Sequence, residues 1–323
     1  MINLSTLVDE LIKNETIVCP KCHSSISNLN GRLVCLNEAC AGEIDLIQQK
    51  VPILVDFTKD TVLDREALLA TSGESLIPRT DNRNSLPKQI LWGRGSRTRQ
   101  NLESFLRSIP RTPGYTPIVL IVGGGAIGRG TSALFTQKDL KTLSFDIYAS
   151  ANTDLIADAH DIPLANQSVD AVWIQAVLEH VLYPNQVAAE IERVLKVGGI
   201  VYAETPFLQN VHEGAYDFTR FTESGHRLLF SGFSLIDSGF LNGIGTVLLW
   251  NIRYLLWGLT RSRKLATILL FPFFWIRFLE KLIPDGVNVD SASGVYFLGQ
   301  KKPGEKTSSR DIIRHYKGYQ HRS

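Results

Sequence analysis

With 323 residues, the chain is long enough for two domains and a substantial core. Hydrophobic residues at 44% and charged residues at 20% exclude an intrinsically disordered chain. The formal net charge of +2, from 34 Lys and Arg against 32 Asp and Glu, excludes a globally basic nucleic-acid binder, and no specific nucleic-acid partner is expected.

The opening segment MINLSTLVDELIKNE carries acids and no apolar run. It does not read as a signal peptide, and a cytoplasmic location is the expectation. Leu4, Leu7, Leu11 and Ile12 fall on one face of a helix predicted over residues 3–14, with Asn3 or Ser5 as its cap. All four cysteines follow within 22 residues: Cys19, Cys22, Cys35 and Cys40. Their pattern is C-x2-C-x12-C-x4-C, two thiolate knuckles that suit tetrahedral zinc. Four protein ligands close the coordination sphere, so the zinc expected here is structural. His23, beside Cys22, is a spare nitrogen ligand.

VPILVDF (51–57) reads as a strand. Residues 59–71 and 95–108 read as helices; in the second, Leu102, Phe105, Leu106 and Ile109 recur at helical spacing. Residues 72–90, rich in Ser, Pro, Asn and Arg, read as a linker. Pro110, Pro113, Gly114 and Pro117 break the chain before the next strand.

From 118 onward, apolar runs alternate with helical patterns. Strands are predicted at 118–123, 142–147, 154–158, 169–175 and 199–206, and helices at 128–138 and 184–196. Late strands are predicted at 233–240 and 295–301. The alternation predicts an α/β fold, a doubly wound and mostly parallel sheet covered on both faces.

Gly123, Gly125 and Gly128 stand between the strand at 118–123 and the predicted helix. Glycine lets the backbone turn tightly and approach a ligand closely, and a helix start beyond it offers free N–H groups. The same spacing also serves a plain strand-to-helix turn. Asp146 ends the second strand, where an acid can accept from both ribose hydroxyls of an adenosine ligand. That geometry suits a dinucleotide or S-adenosylmethionine (SAM).

The segment DAHDIPLANQSVDAVWIQAVLEHV (158–181) resembles the class I SAM-dependent methyltransferases, methyltransferase type 11-like. The shared features are an Asp-Ala pair, an Ile-Pro-Leu turn, a Val-Asp-x-Val strand and then Leu-Glu-His. VLKVGGIVYAETP is similar to that family's step into strand five. The resemblance covers roughly residues 115–207 and implies a Rossmann-like fold with SAM as cofactor. Asp158 would then accept from the adenine amino group, the Ala159 amide would meet a ring nitrogen, and Gln175 would lie near the methionine part. Two features depart from the pattern. Ile121 stands where family members carry an acid, and Ala126 and Ile127 separate Gly125 from Gly128. Both departures lean toward a nicotinamide cofactor.

The cysteine block is similar to short zinc-ribbon-like modules found ahead of some bacterial methyltransferase domains. The organisation expected is a zinc-ribbon-like module at 1–58, a helical linker region at 59–114, the methyltransferase domain at 115–302 and a flexible basic tail at 303–323. Because the module precedes the sheet, its loss is expected to leave SAM binding largely intact.

PFLQNVHEGAYDFTRFTESGHRLLF (206–230) concentrates polar groups beyond strand five, where ligands bind in this fold. His212 or Asp217 is a candidate general base on a hydroxyl acceptor. Tyr216 and Arg220 are candidate substrate contacts, Arg220 for an anionic group. The alternative is a structural network with Arg220 paired to Asp217. The segment is similar to one in methyltransferases of polysaccharide and other glycan pathways.

Residues 241–283 form an apolar helical insertion, with runs at 244–259 and 265–279. Each run is too short to span a membrane. With Arg253, Arg261, Arg263, Lys264, Arg277 and Lys281 around them, they suit an interfacial position against anionic headgroups, or a packed cap or an oligomer surface. The preferred function is SAM-dependent O-methylation of a glycan, lipid-linked or other small hydroxyl acceptor. The alternatives are a zinc-ribbon binding or assembly protein with a degenerate methyltransferase fold, and an NAD(P)-dependent oxidoreductase.

Overall fold

A computed structural model describes residues 2–40, 42–75, 86–93, 95–304 and 306–320. Helix α1 (Thr6–Lys13) starts where the Ser5 hydroxyl accepts from the Val8 N–H, so Ser5 is the cap. Short strands β1 (Ile26–Leu29), β2 (Arg32–Cys35) and β3 (Glu43–Ile44) form a three-stranded antiparallel sheet that carries the cysteines. Next come β4 (Leu46–Ile47), β5 (Val51–Leu54), α2 (Arg65–Ala70), α3 (Leu86–Trp92) and α4 (Ser96–Ser108). Residues 76–85, within the expected linker, lie outside the described residues.

The central strands are β6 (Ile118–Val122), β7 (Lys141–Asp146), β8 (Leu155–Ala157), β9 (Val169–Gln175) and β10 (Leu195–Pro206), with α5 (Pro184–Val194) before the last. Then follow α6 (Glu223–Leu229), β11 (Ser234–Phe240), α7 (Ile244–Thr260), α8 (Arg263–Leu270), α9 (Ile276–Leu279), α10 (Asp285–Asp290), β12 (Gly294–Gln300) and α11 (Ser309–Arg314). Nine strands build one sheet in the order β11-β12-β10-β9-β6-β7-β8-β5-β4. The run β10-β9-β6-β7-β8-β5 is parallel, while β12 and β4 are antiparallel to their neighbours in that run. This is the doubly wound, mostly parallel sheet expected from the alternation of apolar runs. The reversal between β6 and its two neighbours β7 and β9 is the switch point that opens a crevice at the carboxyl ends.

One face is covered by α4. Phe105 meets Trp173 edge-on at 5.2 Å, and Trp173 stacks on Tyr202 at 4.0 Å between centroids. All three rings are buried. Each contributes roughly 1.5–3 kcal/mol by leaving water.

The other face departs from expectation. The helix predicted at 128–138 is absent; the segment holds only a single 3-10 turn, Leu134–Thr136. Gly124, Gly125, Gly128 and Gly130 fall within seven residues, and each glycine costs a helix about 1 kcal/mol relative to alanine. Gly130 also has φ +84°, outside helical space. Only eight residues join β7 to β8, too few for a crossover helix. The N-terminus fills the gap. Val8, Leu11 and Ile12 of α1, with Ile17, Cys19, Leu33 and Cys35, share one buried core with Leu120, Val122, Leu143 and Phe145 of the sheet. Lys141 pairs with Glu10 at 2.5 Å, and Ile17 bridges to Leu164. Strand β5 pairs with β8, so the segment after the cysteines is itself part of the large sheet.

The expected flexible tail is corrected over its described part. Ile312 on α11 is buried, the Thr307 N–H donates to the Ser231 carbonyl, and the Tyr316 hydroxyl donates to Asp290 at 2.6 Å. An apolar anchor and two tethers fold the segment back on α6 and β11.

Candidate functional site

The glycine loop leaves β6 and folds over the end of β7. The N–H groups of Gly123 and Gly124 both donate to the Phe145 carbonyl, at 2.9 and 3.0 Å. Gly123 has φ +76°, and a Cβ there would lie 2.1 Å from Val177 Cγ2. A Cβ at Gly125 would lie 2.6 Å from the Tyr148 ring, and one at Gly128 would lie 2.0 Å from Gln175 Oε1. The loop therefore rests directly on side chains from the ends of β7 and β9. No helix begins behind it, so the dipole and free amides that a dinucleotide pyrophosphate requires are missing, and the nicotinamide reading loses its physical support.

Asp146 ends β7. Its Oδ2 accepts from the Gly125 N–H at 2.8 Å and its Oδ1 from the Ile147 N–H at 2.8 Å. Asp158, one residue past β8, is buried and accepts from Thr61 Oγ1 at 2.6 Å, His160 Nδ1 at 2.6 Å and the His160 amide at 2.9 Å. Burial pushes its carboxyl up, but the His160 and Thr61 hydrogen bonds outweigh burial and hold it below the usual range. Ala159 is buried beside it. Gln175 ends β9 and donates to Glu204 Oε1 at 2.9 Å.

Glu204 was not singled out in the sequence. It is buried in β10 and also accepts from the Tyr202 hydroxyl at 2.7 Å and from Thr98 Oγ1 at 3.1 Å. Burial raises its carboxyl above the usual range despite these bonds. An acid inside the apolar run IVYAETP was the available signal.

These residues fit SAM in chemistry and in place. An acid ends β7, an acid with a backbone amide follows β8, and a carboxamide ends β9, all at the carboxyl ends of strands on the two sides of the switch point. Each Asp146 oxygen accepts one backbone N–H and keeps a further lone pair for a ribose hydroxyl.

Beyond β9, the chain passes from Val177, against the glycine loop, to Glu179 and His180 within three residues. The Glu179 carbonyl accepts from the Phe218 and Thr219 amides, at 2.8 and 3.3 Å, and this pins the loop after β10 over the end of β9. The Glu179 carboxyl is 1% exposed, and neither oxygen has a hydrogen-bond partner. Burial pushes it up to about 8. His180 Nε2 lies 3.6 Å and His212 Nε2 3.9 Å from Glu179 Oε1, and the two imidazoles meet edge-on at 5.1 Å. His180 Nδ1 is 2.7 Å from the Tyr216 carbonyl.

Asp217 is gripped by Arg220, whose Nη2 lies 2.9 Å from Oδ2 and whose Nη1 binds Oδ1. The same Oδ2 accepts from the His212 amide at 2.8 Å and lies 3.4 Å from its Nδ1. Burial alone would raise this carboxyl; Arg220 and the His212 amide overcome it and hold it down to about 2. A carboxylate that acidic is a weak base, and it faces both the backbone amide and Nδ1 of His212. The Arg220 guanidinium is committed to Asp217, the structural pairing that the sequence left open as the alternative to anion binding. The sequence grouped these residues but left out Glu179, whose neighbourhood depends on a loop 39 residues downstream.

The four cysteines converge. Cys19 Sγ lies 3.8 Å from Cys40 Sγ, and Cys22 Sγ 3.5 Å from Cys35 Sγ. All four sulfurs lie within 4.8 Å of one another. Zinc–sulfur bonds of about 2.3 Å give a tetrahedral edge of about 3.8 Å, so four thiolates at these separations fit one ion. The Asn37 N–H points at Cys35 Sγ at 3.4 Å, as a second-layer donor to a thiolate does. His23, the spare ligand of the sequence, is turned away and binds Asp161 at 3.0 Å.

Residues 126–203 match the family model described as a methyltransferase domain. A comparison with curated proteins returns no match. Among solved structures, a SAM-dependent methyltransferase from Archaeoglobus fulgidus is 12% identical, covering 66% of this chain and 97% of its own, at a TM-score of 0.42. Geranyl diphosphate C-methyltransferase from Streptomyces coelicolor is 13% identical, covering 70% and 84%, at 0.41. Phosphoethanolamine N-methyltransferase 2 from Haemonchus contortus is 18% identical, covering 63% and 52%, at 0.41. The family match spans the strand-end residues described above from Asp146 to Gln175, and over residues 126–203 the chain is similar to methyltransferase domains.

Proposed function

We propose that the protein moves the SAM methyl group to an oxygen of a hydroxyl-bearing acceptor. The carrying observation is the pinning of the 207–222 loop on the Glu179 carbonyl. It sets the His212–Asp217 pair next to the segment that touches the glycine loop. In this reading the acceptor oxygen attacks the methyl carbon, the C–O bond forms, and the C–S bond breaks with its electron pair returning to sulfur. His212 Nε2 takes the hydroxyl proton. Asp217 holds the imidazole through Nδ1, Arg220 holds Asp217, and Tyr216 lines the acceptor approach. Asp146, Asp158, the Ala159 amide, Gln175 and the glycine loop hold the cofactor.

We further propose that the cysteines hold structural zinc and that the acceptor is lipid-linked, a glycan carrier being the favoured class. No helix among the described residues is long and apolar enough to cross a membrane. The α7–α9 segment does expose Leu255 (62%), Leu259 (74%), Ile268 (67%), Trp275 (51%) and Leu282 (83%), which supports an interfacial position. Arg261, Arg263 and Lys264 lie exposed at its turn. Arg277 is turned inward toward the Gln89 carbonyl, and Arg253 lies over Trp250, so these two do not join the headgroup-binding set.

Radiolabelled SAM incubated with lipid-linked and soluble acceptor fractions tests the reading. The expected product is a base-stable methyl ether in the lipid fraction, with an equal amount of S-adenosylhomocysteine. His212→Ala should slow transfer about 10²–10⁴-fold without changing SAM affinity. Label only in base-labile esters or in amines would overturn it.

A further inference from the structure

We propose that Glu179, His180 and His212 form a binding site for one first-row divalent transition-metal ion. The three ligand atoms come from two segments, 179–180 after β9 and 212 in the pinned loop, and all lie within 4.8 Å of one another. Each imidazole is already set up to ligate. His180 Nδ1 faces the Tyr216 carbonyl at 2.7 Å, an acceptor that requires the proton on Nδ1. That leaves the lone pair on Nε2. His212 Nδ1 faces only acceptors, Asp217 Oδ2 at 3.4 Å and the Asn210 carbonyl at 3.4 Å, with the same consequence. Both free lone pairs sit on the Nε2 atoms that flank Glu179 Oε1 at 3.6 and 3.9 Å.

The second observation is Glu179 itself. Its carboxyl is 1% exposed with neither oxygen hydrogen-bonded. Such a group costs about 1–3 kcal/mol or more unless something compensates it. A cation held by the two imidazoles compensates it directly. Bonds of about 2.0–2.2 Å bring neighbouring ligand atoms to about 3.0–3.5 Å, a closure of a few tenths of an ångström along the two edges to Glu179 Oε1 and of about 1–2 Å at most along the edge between the imidazoles. The Asp217–His212 pair then reproduces the carboxylate–histidine–metal arrangement that fixes ligand orientation. Two histidines and one carboxylate leave coordination positions open, unlike the four-cysteine cluster, and nitrogen ligands favour a transition metal over calcium or magnesium.

The site stands independently of the acceptor; its role rests on the methyl-transfer reading above and takes the place of the histidine base named there. A cation there lowers the pKa of a hydroxyl brought against it. The His212 lone pair is then committed to the ion, and the hydroxyl proton leaves to water instead.

The test uses the full chain with zinc in its cysteine cluster, titrated with Mn2+ alone, an ion that thiolates bind poorly. Calorimetry and electron paramagnetic resonance should show one Mn2+ per chain. Glu179→Gln and His212→Ala should each weaken binding at least 100-fold, and Asp217→Asn 10–100-fold. His212 lies on a loop with a quarter of its side chain exposed, so its variant reports on the site even where Glu179→Gln fails to fold. No Mn2+ uptake by the wild type, or equal uptake by wild type and both variants, overturns the site. If the wild type binds no Mn2+ while His212→Ala still abolishes methyl transfer, the metal is refuted and the histidine base stands.

Discussion

Two clusters of metal-ligand type occur among the described residues, and they differ in how the chain builds them. The four cysteines lie in 22 consecutive residues and are held by local turns and a hairpin. Glu179, His180 and His212 are brought together only by the carboxyl end of β9 and a loop pinned across it. The first set is soft and closed: Cys19 and Cys35 sit in the main hydrophobic core, Cys40 packs against it, and Cys22 is exposed. The second is a nitrogen and oxygen set placed where the fold puts chemistry. A cluster that belongs to the core should fail with the fold, and a cluster at the strand ends should fail with function.

The largest effect expected follows from the first half of that contrast. Cys19→Ser combined with Cys22→Ser removes two of four thiolates. Structural zinc sites contribute roughly 10–16 kcal/mol in small domains, as much as the ~5–15 kcal/mol net stability of an ordinary fold. The position of the module ahead of the sheet suggested that SAM binding would survive. The shared core argues the other way, because α1 and the cysteine module cover the face that the missing crossover helices would have covered. The double variant should lose cooperative unfolding and SAM binding together. Retention of full SAM affinity with a disordered N-terminus would break the comparison.

The difference also explains what was legible. The strands, their parallel order and the cysteine ligands follow from short-range patterns: apolar runs at β6 and β9, and a C-x2-C knuckle. The helix expected at 128–138 does not form because four glycines at 124, 125, 128 and 130 disfavour it, and Leu134 and Phe135 pack from a single 3-10 turn instead. The tail looked mobile because Ile312 is one apolar residue among polar ones, and its socket on α6 and β11 is tertiary. Glu179 read as part of a family pattern, Leu-Glu-His, and its lack of any hydrogen-bond partner is visible only once Phe218 and Thr219 close over it.

The next effect sharpens the strand-end half of the comparison. Arg220→Ala leaves the Asp217 carboxylate, 1% exposed, without its cation. Breaking a buried pair costs about 3–5 kcal/mol, and because Arg220 is partly exposed the low end, about 3 kcal/mol, is expected. Denaturant unfolding measures it. His212 should lose its orientation as well, so methyl transfer falls even in the fraction that stays folded. Arg220→Lys should restore part of the stability and less of the activity, since the ammonium cannot make the two-pronged contact.

Acid stability provides the background against which both clusters must be read. His226 on α6 is fully buried among Phe221 and Phe230, and neither ring nitrogen has a hydrogen-bond partner. Burial drives its pKa down to about 3 from an ordinary 6.5. The unfolded chain therefore binds a proton that the folded chain refuses. Stability is full above pH 6.5 and is lost as the pH falls toward about 3, at up to 1.36 kcal/mol per pH unit, or about 2 kcal/mol by pH 5. His226→Leu should remove that slope. If the slope between pH 6.5 and 5 is unchanged in this variant, His226 is not its source.

The smallest effect on stability is expected from Glu179→Gln, and its sign separates the two clusters. Replacing a core cysteine removes a ligand and leaves a void in the packing. Replacing Glu179 with glutamine keeps the shape and exchanges a carboxyl that burial disfavours for a neutral amide. The amide N–H2 group can donate to an Nε2 lone pair, and the amide oxygen has no charge to desolvate. In metal-free protein the variant should be as stable as wild type or more stable by about 1 kcal/mol. With Mn2+ present the order should invert, because only the wild type gains stability from binding, by about 2.7 kcal/mol when the free ion is a hundredfold above its dissociation constant. Thermal unfolding with and without Mn2+ reads both. A variant destabilised by several kcal/mol in metal-free protein would mean that the Glu179 carboxyl is a structural member of the core, and the contrast between a cluster built for folding and a cluster built for chemistry would fail at that residue.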